Sequence, residues 1–452
     1  MQEYPPYMHR GPAEDVALTV NLSPRAGTTT SPEAVLRPHS TALDVYYAPS
    51  QVPSSTSSSS SLANFIATQL QGLFAEEQAT IAHLLTSQNS GHQFTNGQPP
   101  SSQQSTTARE PRSSKRRSLP PELAARLSSR MTRSLKYAPT YHITLSLFTP
   151  ASTPSIWEIE AALEEYLEPL LDSMSVISNF TVDTQVQLYA AFSPSVQQPE
   201  YDQKGGVWTL REEDLSGFIN AAEWPLSPSI GAGPTLNFVI YVPQLSHAPL
   251  VIHESHATSW LIPQWGGVTI LNPLKPEADS TLGSMVILKE SIRPALMTFS
   301  HQLLSFLGAP ETPASLPLQL RTLTRIRAAS LLQTASSTMG SLARLTVALP
   351  SIAIPETVSG AVDKTLSNLR KGCESLRSGE FNEALRSARI AEAEAEKGFF
   401  EKSMVGQVYF PDEHKVAVYL PLLGPVAVPL IMSALKELKR VWKSLRARYA
   451  KP

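Results

Sequence analysis

The stretch at residues 416–435 constrains this chain more than any other. It reads VAVYLPLLGPVAVPLIMSAL, 20 residues without a charge, with side-chain hydroxyls only at Tyr419 and Ser433. An α-helix of about 20 residues crosses ~30 Å of hydrocarbon. Pro421, Pro425, Pro429 and Gly424 lie inside it. In water such residues break a helix. In a bilayer they are tolerated, because neighbouring helices or water can satisfy the freed carbonyls. The tail that follows carries Lys436, Lys439, Arg440, Lys443, Arg446, Arg448 and Lys451 against one acid, Glu437. Basic flanks stay on the cytosolic side, which puts the C-terminus in the cytosol and the bulk of the chain across the membrane. The competing reading is the buried core helix of a soluble protein.

At 452 residues, 42% of them hydrophobic, the chain has material for two or three domains of roughly 150 residues with real cores. Its net charge of −2 argues against a general nucleic-acid binder, which is basic over a whole domain. A lone cysteine, Cys373, rules out an intrachain disulfide and a CxxC metal or redox site. The opening MQEYPPYMHRGPAEDV lacks the apolar core of a signal peptide. One span near the C-terminus does not explain how the residues before it cross a membrane. We therefore expect an apolar segment upstream of Met1.

The chain divides by pattern. Residues 1–86 hold two β-like runs, at 16–20 and 43–47, then the spacer PSSTSSSSS and a helical pattern over 62–85. Residues 87–132 are polar and breaker-rich and carry the basic cluster Arg112, Lys115, Arg116 and Arg117. A disordered insertion is expected there, because burial cannot offset its ordering entropy. Residues 133–290 read as an α/β core. Tyr141, Ile143, Leu145 and Leu147 alternate with polar residues as a strand with one apolar face. SIWEIEAALEEYLEPLLDSM reads as a helix with Ser155 as N-cap and Glu158 at the capping-box position. NFTVDTQVQLY alternates as a second strand, and LNFVIYVP reads as a strand buried on both faces. Short strands follow at 250–252 and 268–271, with a turn at Trp265-Gly266-Gly267. Residues 291–410 read as helices over 295–307, 318–349 and 356–400, the last broken near Ser378-Gly379. The expected fold is thus α/β: a mixed-sheet domain flanked by helices, then a helical region, then a membrane helix at 416–435 and a basic tail at 436–452.

No P-loop or GxSxG elbow is present. His253-Glu254-Ser255-His256 has its histidines three apart, whereas a zincin helix needs them four apart on one face. A surface loop explains it better. Cys373 has no nearby histidine motif to activate it. No catalytic, metal or cofactor residues are assigned. Asn179-Phe180-Thr181 is an N-glycosylation sequon before a strand, and Asn21-Leu22-Ser23 is a weaker one because Pro24 follows it.

Four blocks together resemble the PIG-S family of glycosylphosphatidylinositol (GPI) transamidase subunits. They are SLKYAPTYHITLSLFTP with WEIEAALEEYLEPLL, SNFTVDTQVQLYA, LNFVIYVPQLSHAPLVI with PQWGGVTILN, and VYFPDEHKVAVYLPLLGPVAVPL, which run over roughly residues 133 to 436. Residues 1–132 match less clearly. The resemblance implies an endoplasmic reticulum membrane protein whose lumenal domain lies between two spans. It implies a non-catalytic subunit of the complex that joins preassembled GPI anchors to the C-terminus of proproteins. The catalytic cysteine would lie on a caspase-like partner subunit. Other transamidase subunits and the membrane are the implied partners, with GPI lipid and proprotein as further candidates and no nucleic acid. Asn179 matches a family sequon. The proline-bearing span is expected to contact partner helices or anchor lipid. The alternatives are a membrane-tethered hydrolase with a scattered active site, and a soluble interaction protein whose last helix is buried.

Overall fold

The computed structural model describes residues 16–25, 31–52, 60–90, 121–190, 197–219, 233–273, 286–350, 352–404 and 412–449. They fall into two units, residues 1–330 with 373–386, and residues 331–372 with 387–452. The basic cluster at 112–117 lies outside the described residues.

In the first unit, β1 (Thr19–Pro24), β2 (Glu33–Leu36) and β3 (Ala42–Tyr47) form a sheet with β3 in the middle. β3 pairs parallel with β1 and antiparallel with β2. The strand β2 has no counterpart in the sequence expectation. Leu43 and Val45 of β3 are buried with Leu62 of α1 (Ser61–Leu73). The Ser60 hydroxyl caps α1 by accepting from the Ala63 N–H at 3.1 Å. The helical pattern at 62–85 folds as two helices, α1 and α2 (Ala75–Ser90).

Residues 121–133 correct the expected insertion: they form α3 (Pro121–Arg133). Proline at the first helical position loses no hydrogen bond. Leu127 and Arg130 on this helix are buried, so the segment is anchored.

A five-stranded sheet holds the main core. Its members are β4 (Thr140–Phe148), β6 (Asn179–Gln187), β9 (Thr235–Tyr241), β11 (Ser259–Ile262) and β12 (Gly266–Ile270), in the order β11-β12-β9-β4-β6. All neighbours are parallel except β11, which forms a hairpin with β12. The expected one-faced β4 is buried on both faces. Tyr141, Ile143, Leu145 and Leu147 enter the main core, while His142, Thr144 and Ser146 are buried on the other side. Strand β6 supplies partners for two of them: Ser146 Oγ accepts from Gln185 Nε2 at 2.8 Å, and His142 Nδ1 lies 2.6 Å from Thr181 Oγ1.

Between β4 and β6 run β5 (Ile156–Trp157), α4 (Ile159–Tyr166) and α5 (Glu168–Met174). Ser155 does not cap a helix here. Ile156 and Trp157 instead pair parallel with β13 (Val286–Ile287), and α4 starts after Glu158. The Glu158 carboxylate accepts from the Lys289 backbone N–H at 3.1 Å, at the start of α6 (Lys289–Phe306). Glu158 therefore serves the first turn of a distant helix, where a negative charge is favourable. Phe299 of α6 stacks on Phe238 of β9 with ring centroids 4.7 Å apart. The chain also forms β7 (Glu200–Asp202), β8 (Val207–Leu210) and β10 (Leu250–Ile252), a small sheet in the order β10-β8-β7.

Four long helices follow, α7 (Leu316–Ala348), α8 (Glu356–Ser378), α9 (Phe381–Phe399) and α10 (Asp412–Tyr449). The break between α8 and α9 falls where expected, with Gly379 at φ 84°. That left-handed conformation is nearly free of cost for glycine. In the second unit Ala335, Ala391 and Ala395 are buried against Met339 and Leu369. A second cluster joins Leu342, Val358 and Met404. The architecture is the expected one: α/β with sheets flanked by helices, then helices, then an apolar C-terminal helix.

Candidate functional site

Parallel sheets usually place ligands beyond the carboxyl ends of their strands, where the strand order reverses. Here β4 leads to β6 on one side and has β9 on the other, so the reversal lies beyond Phe148 and Tyr241. Phe148 and Tyr241 are buried in one cluster with Leu210, Leu250, Ile252 and Ile270. Burial pushes the Tyr241 phenol well above its ordinary range, so the hydroxyl stays protonated at any physiological pH.

His253, Glu254, Ser255 and His256 occupy an exposed turn after β10, and His256 has φ 51°. No cluster of three or more metal-ligating side chains occurs among the described residues. Cys373 is exposed on α8. A cavity of about 220 Å³ lies against β2 and β3, lined by Arg25, Glu33, Tyr46 and their neighbours. Its charges are spent on each other: Arg25 meets Glu33 at 3.4 Å and sits over the Tyr46 ring.

The two sequons differ sharply. Asn179 is the first residue of β6, an edge strand, and it is exposed. Asn21 lies within β1, where its Nδ2 donates to Asp44 Oδ1 at 2.8 Å. Arg37 binds the same carboxylate at 2.6 Å. The Arg37 and Asn21 hydrogen bonds hold the Asp44 carboxyl below the usual carboxylate range. The nitrogen that would carry a glycan at Asn21 is thus committed to a charged acceptor.

Sequence reasoning did not find the buried charges. Glu76 and Glu77 open α2 side by side. Glu76 pairs with Arg130 of α3 and accepts from the Thr312 hydroxyl at 2.9 Å. Burial pulls the Arg130 guanidinium below its ordinary range, and Glu76 opposes that shift. Glu77 holds Arg325 of α7 with two bonds at 2.6 and 2.7 Å, and accepts from Thr322 at 3.1 Å. The Arg325 guanidinium also lies over the rings of Phe74 and Phe381, at 5.5 and 5.0 Å. This cluster ties three helices together and leaves no charge over for a ligand. The one legible signal was the acidic pair at a helix start, which reads equally well as a solvated end.

The remaining feature is α10. Within Val418–Lys443 an 18-residue stretch has a mean hydropathy of 1.9, and none of that stretch is buried. Leu420, Leu422, Leu423, Val426, Leu430 and Ile431 are all exposed. Such a surface is costly in water and natural in lipid. Tyr419 stands near the start of the apolar stretch, where aromatic rings favour the membrane–water boundary. Arg446 lies over the Trp442 ring at 4.5 Å.

The family model for phosphatidylinositol-glycan biosynthesis class S protein matches residues 7–444. The chain belongs to the PIG-S family. Its relatives include a GPI-anchor transamidase component PIGS from Homo sapiens, 31% identical over 340 residues, covering 70% of this chain and 60% of that protein. The GPI transamidase component PIG-S homolog of Schizosaccharomyces pombe is 32% identical over 318 residues, covering 68% and 55%. The GPI transamidase component GPI17 of Saccharomyces cerevisiae is 28% identical over 329 residues, covering 68% and 59%. The chain therefore spans about 60% of the length of the animal relatives it matches. The PIG-S match covers the sheets, the long helices and most of α10 alike, including residues 7–132, where the sequence blocks were least clear.

Proposed function

We propose that this chain is a non-catalytic subunit of the GPI transamidase of the endoplasmic reticulum membrane, which joins preassembled GPI anchors to proproteins. The observation that carries this reading is the family match across residues 7–444, which includes the apolar helix. The burial of Phe148 and Tyr241 in an apolar cluster at the carboxyl ends of β4 and β9 supports a structural role over a hydrolytic one. The basic tail after residue 435 supports a cytosolic C-terminus and a lumenal bulk. The partners in this reading are the caspase-like catalytic subunit and the other subunits, with GPI lipid and proprotein as ligands of the assembled complex. The test is affinity capture in mild detergent through a C-terminal tag, followed by mass spectrometry. The catalytic cysteine subunit is expected among the captured proteins.

A lumenal domain also makes Asn179 the acceptor for N-glycan. Its exposure at a sheet edge leaves room for a sugar. Treatment with a glycan-removing amidase is expected to speed the gel migration of the wild-type chain. Asn179→Gln abolishes that shift, and Asn21→Gln leaves it unchanged.

A further inference from the structure

The prolines of α10 leave a specific chemical need. Each proline lacks the N–H that would bond the carbonyl four residues before it. Pro421 leaves the Ala417 carbonyl free, Pro425 leaves that of Pro421, and Pro429 leaves that of Pro425, while α10 runs on as one helix. At 3.6 residues per turn a spacing of four drifts by only about 40°, so the three acceptors line one stripe. The Ala417 carbonyl sits at the membrane boundary, where water can reach it. Those of Pro421 and Pro425 lie roughly 6 and 12 Å deeper at ~1.5 Å rise per residue. In hydrocarbon an unmet backbone acceptor is costly, and acyl chains carry no donors. The helix does not meet the need itself. Its hydroxyls there are Tyr419 and Ser433, and Ser433 reaches back no further than the carbonyl of Pro429.

We propose that the stripe of Pro421, Gly424, Pro425 and Val428 docks a transmembrane helix of another protein that presents Ser, Thr, Asn or Gln side chains as donors to the Pro421 and Pro425 carbonyls. The same face suits close approach. Nothing in the described structure comes within 4 Å of a Cβ built on Gly424, and small residues let helix backbones near each other. Leu423, Val426 and Leu430 lie on the opposite side of the helix and face lipid. This proposal rests on the reading that residues 416–435 cross a bilayer.

The test places a photo-reactive benzophenone side chain at Val428 or Met432 on the proline side, and at Leu423 or Leu430 on the other, in the full chain in native membranes. Val428 and Met432 are expected to cross-link to an apolar segment of another protein that contains Ser, Thr, Asn or Gln. Replacing that residue by alanine or valine cuts the yield by about threefold or more. Leu423 and Leu430 label lipid. A second arm, Pro425→Leu, restores the bond to the Pro421 carbonyl and is expected to lower the Val428 cross-link, while Leu423→Ala leaves it unchanged. Lipid-only adducts at all four positions, adducts to a second copy of this chain, or a partner segment without donors overturn the proposal. Alkaline carbonate extraction separates the two readings. Release of the chain from membranes overturns the span and the docking face together. Retention with lipid-only adducts overturns the docking face alone.

Discussion

Glu77→Ala is expected to destabilise the first unit by about 3–5 kcal/mol, because it leaves a buried guanidinium without its carboxylate. Arg325 is 8% exposed, and both of its short bonds to a carboxylate end on Glu77. Its Nη1 has no hydrogen-bond partner among the described residues, and the Phe74 and Phe381 rings cannot replace a full counter-charge. Arg325→Ala strands the Glu77 carboxylate in the same way. The double replacement by leucine removes both charges and refills part of the volume, so it is expected to cost clearly less than the sum of the single changes. Thermal denaturation of the detergent-solubilised chain reads this as a large fall in melting temperature for each single variant and a smaller one for the pair. Additive losses would show that the two groups contribute independently.

Gly266→Ala should be nearly as damaging, at about 3 kcal/mol, the upper end for inserting a group into a packed site. Gly266 has φ 154°, and a Cβ there would overlap the Asn237 backbone of the neighbouring strand. Backbone cannot step aside without breaking the β9–β12 pairing on which β11 also hangs. Gly267→Ala meets first the Gln302 side chain, which can rotate away at the loss of its 3.1 Å bond to the Trp260 carbonyl. Its cost is expected near 1 kcal/mol. Gly360→Ala in α8 meets open space and is expected to stabilise by about 1 kcal/mol through helix propensity. Protease resistance of the purified variants gives the order, and equal losses for Gly266 and Gly267 would contradict it.

Much of the fold was legible because its signals are local. The apolar run at 236–243 reads as a doubly buried strand and forms the interior strand β9, and the alternation from Asn179 reads as a strand and forms β6. Gly379 marked a helix end that the backbone makes at φ 84°. Two of the misses share one cause, a partner far along the chain. Ile156 and Trp157 look like a helix start until β13 pairs with them. α3 looks like a polar insertion until its Arg130 finds Glu76, 54 residues away. In the small sheet β10 falls where expected at 250–252, while β7 and β8, of three and four residues, are too short for a clear period. At the functional level, the apolar helix was plain from composition. The committed amide of Asn21 was not, because only the register of β1 on β3 brings it to Asp44.

The most direct measurement is the composition of the assembly held by the full chain. Membranes are solubilised in mild detergent, the chain is captured by its C-terminal tag, and the bound proteins are identified and quantified. The account predicts the caspase-like transamidase subunit at near-equal amount with the chain, and anchoring activity that follows the assembly and is lost on mutation of that partner's cysteine. A chain recovered alone and active on ester or peptide substrates would contradict it.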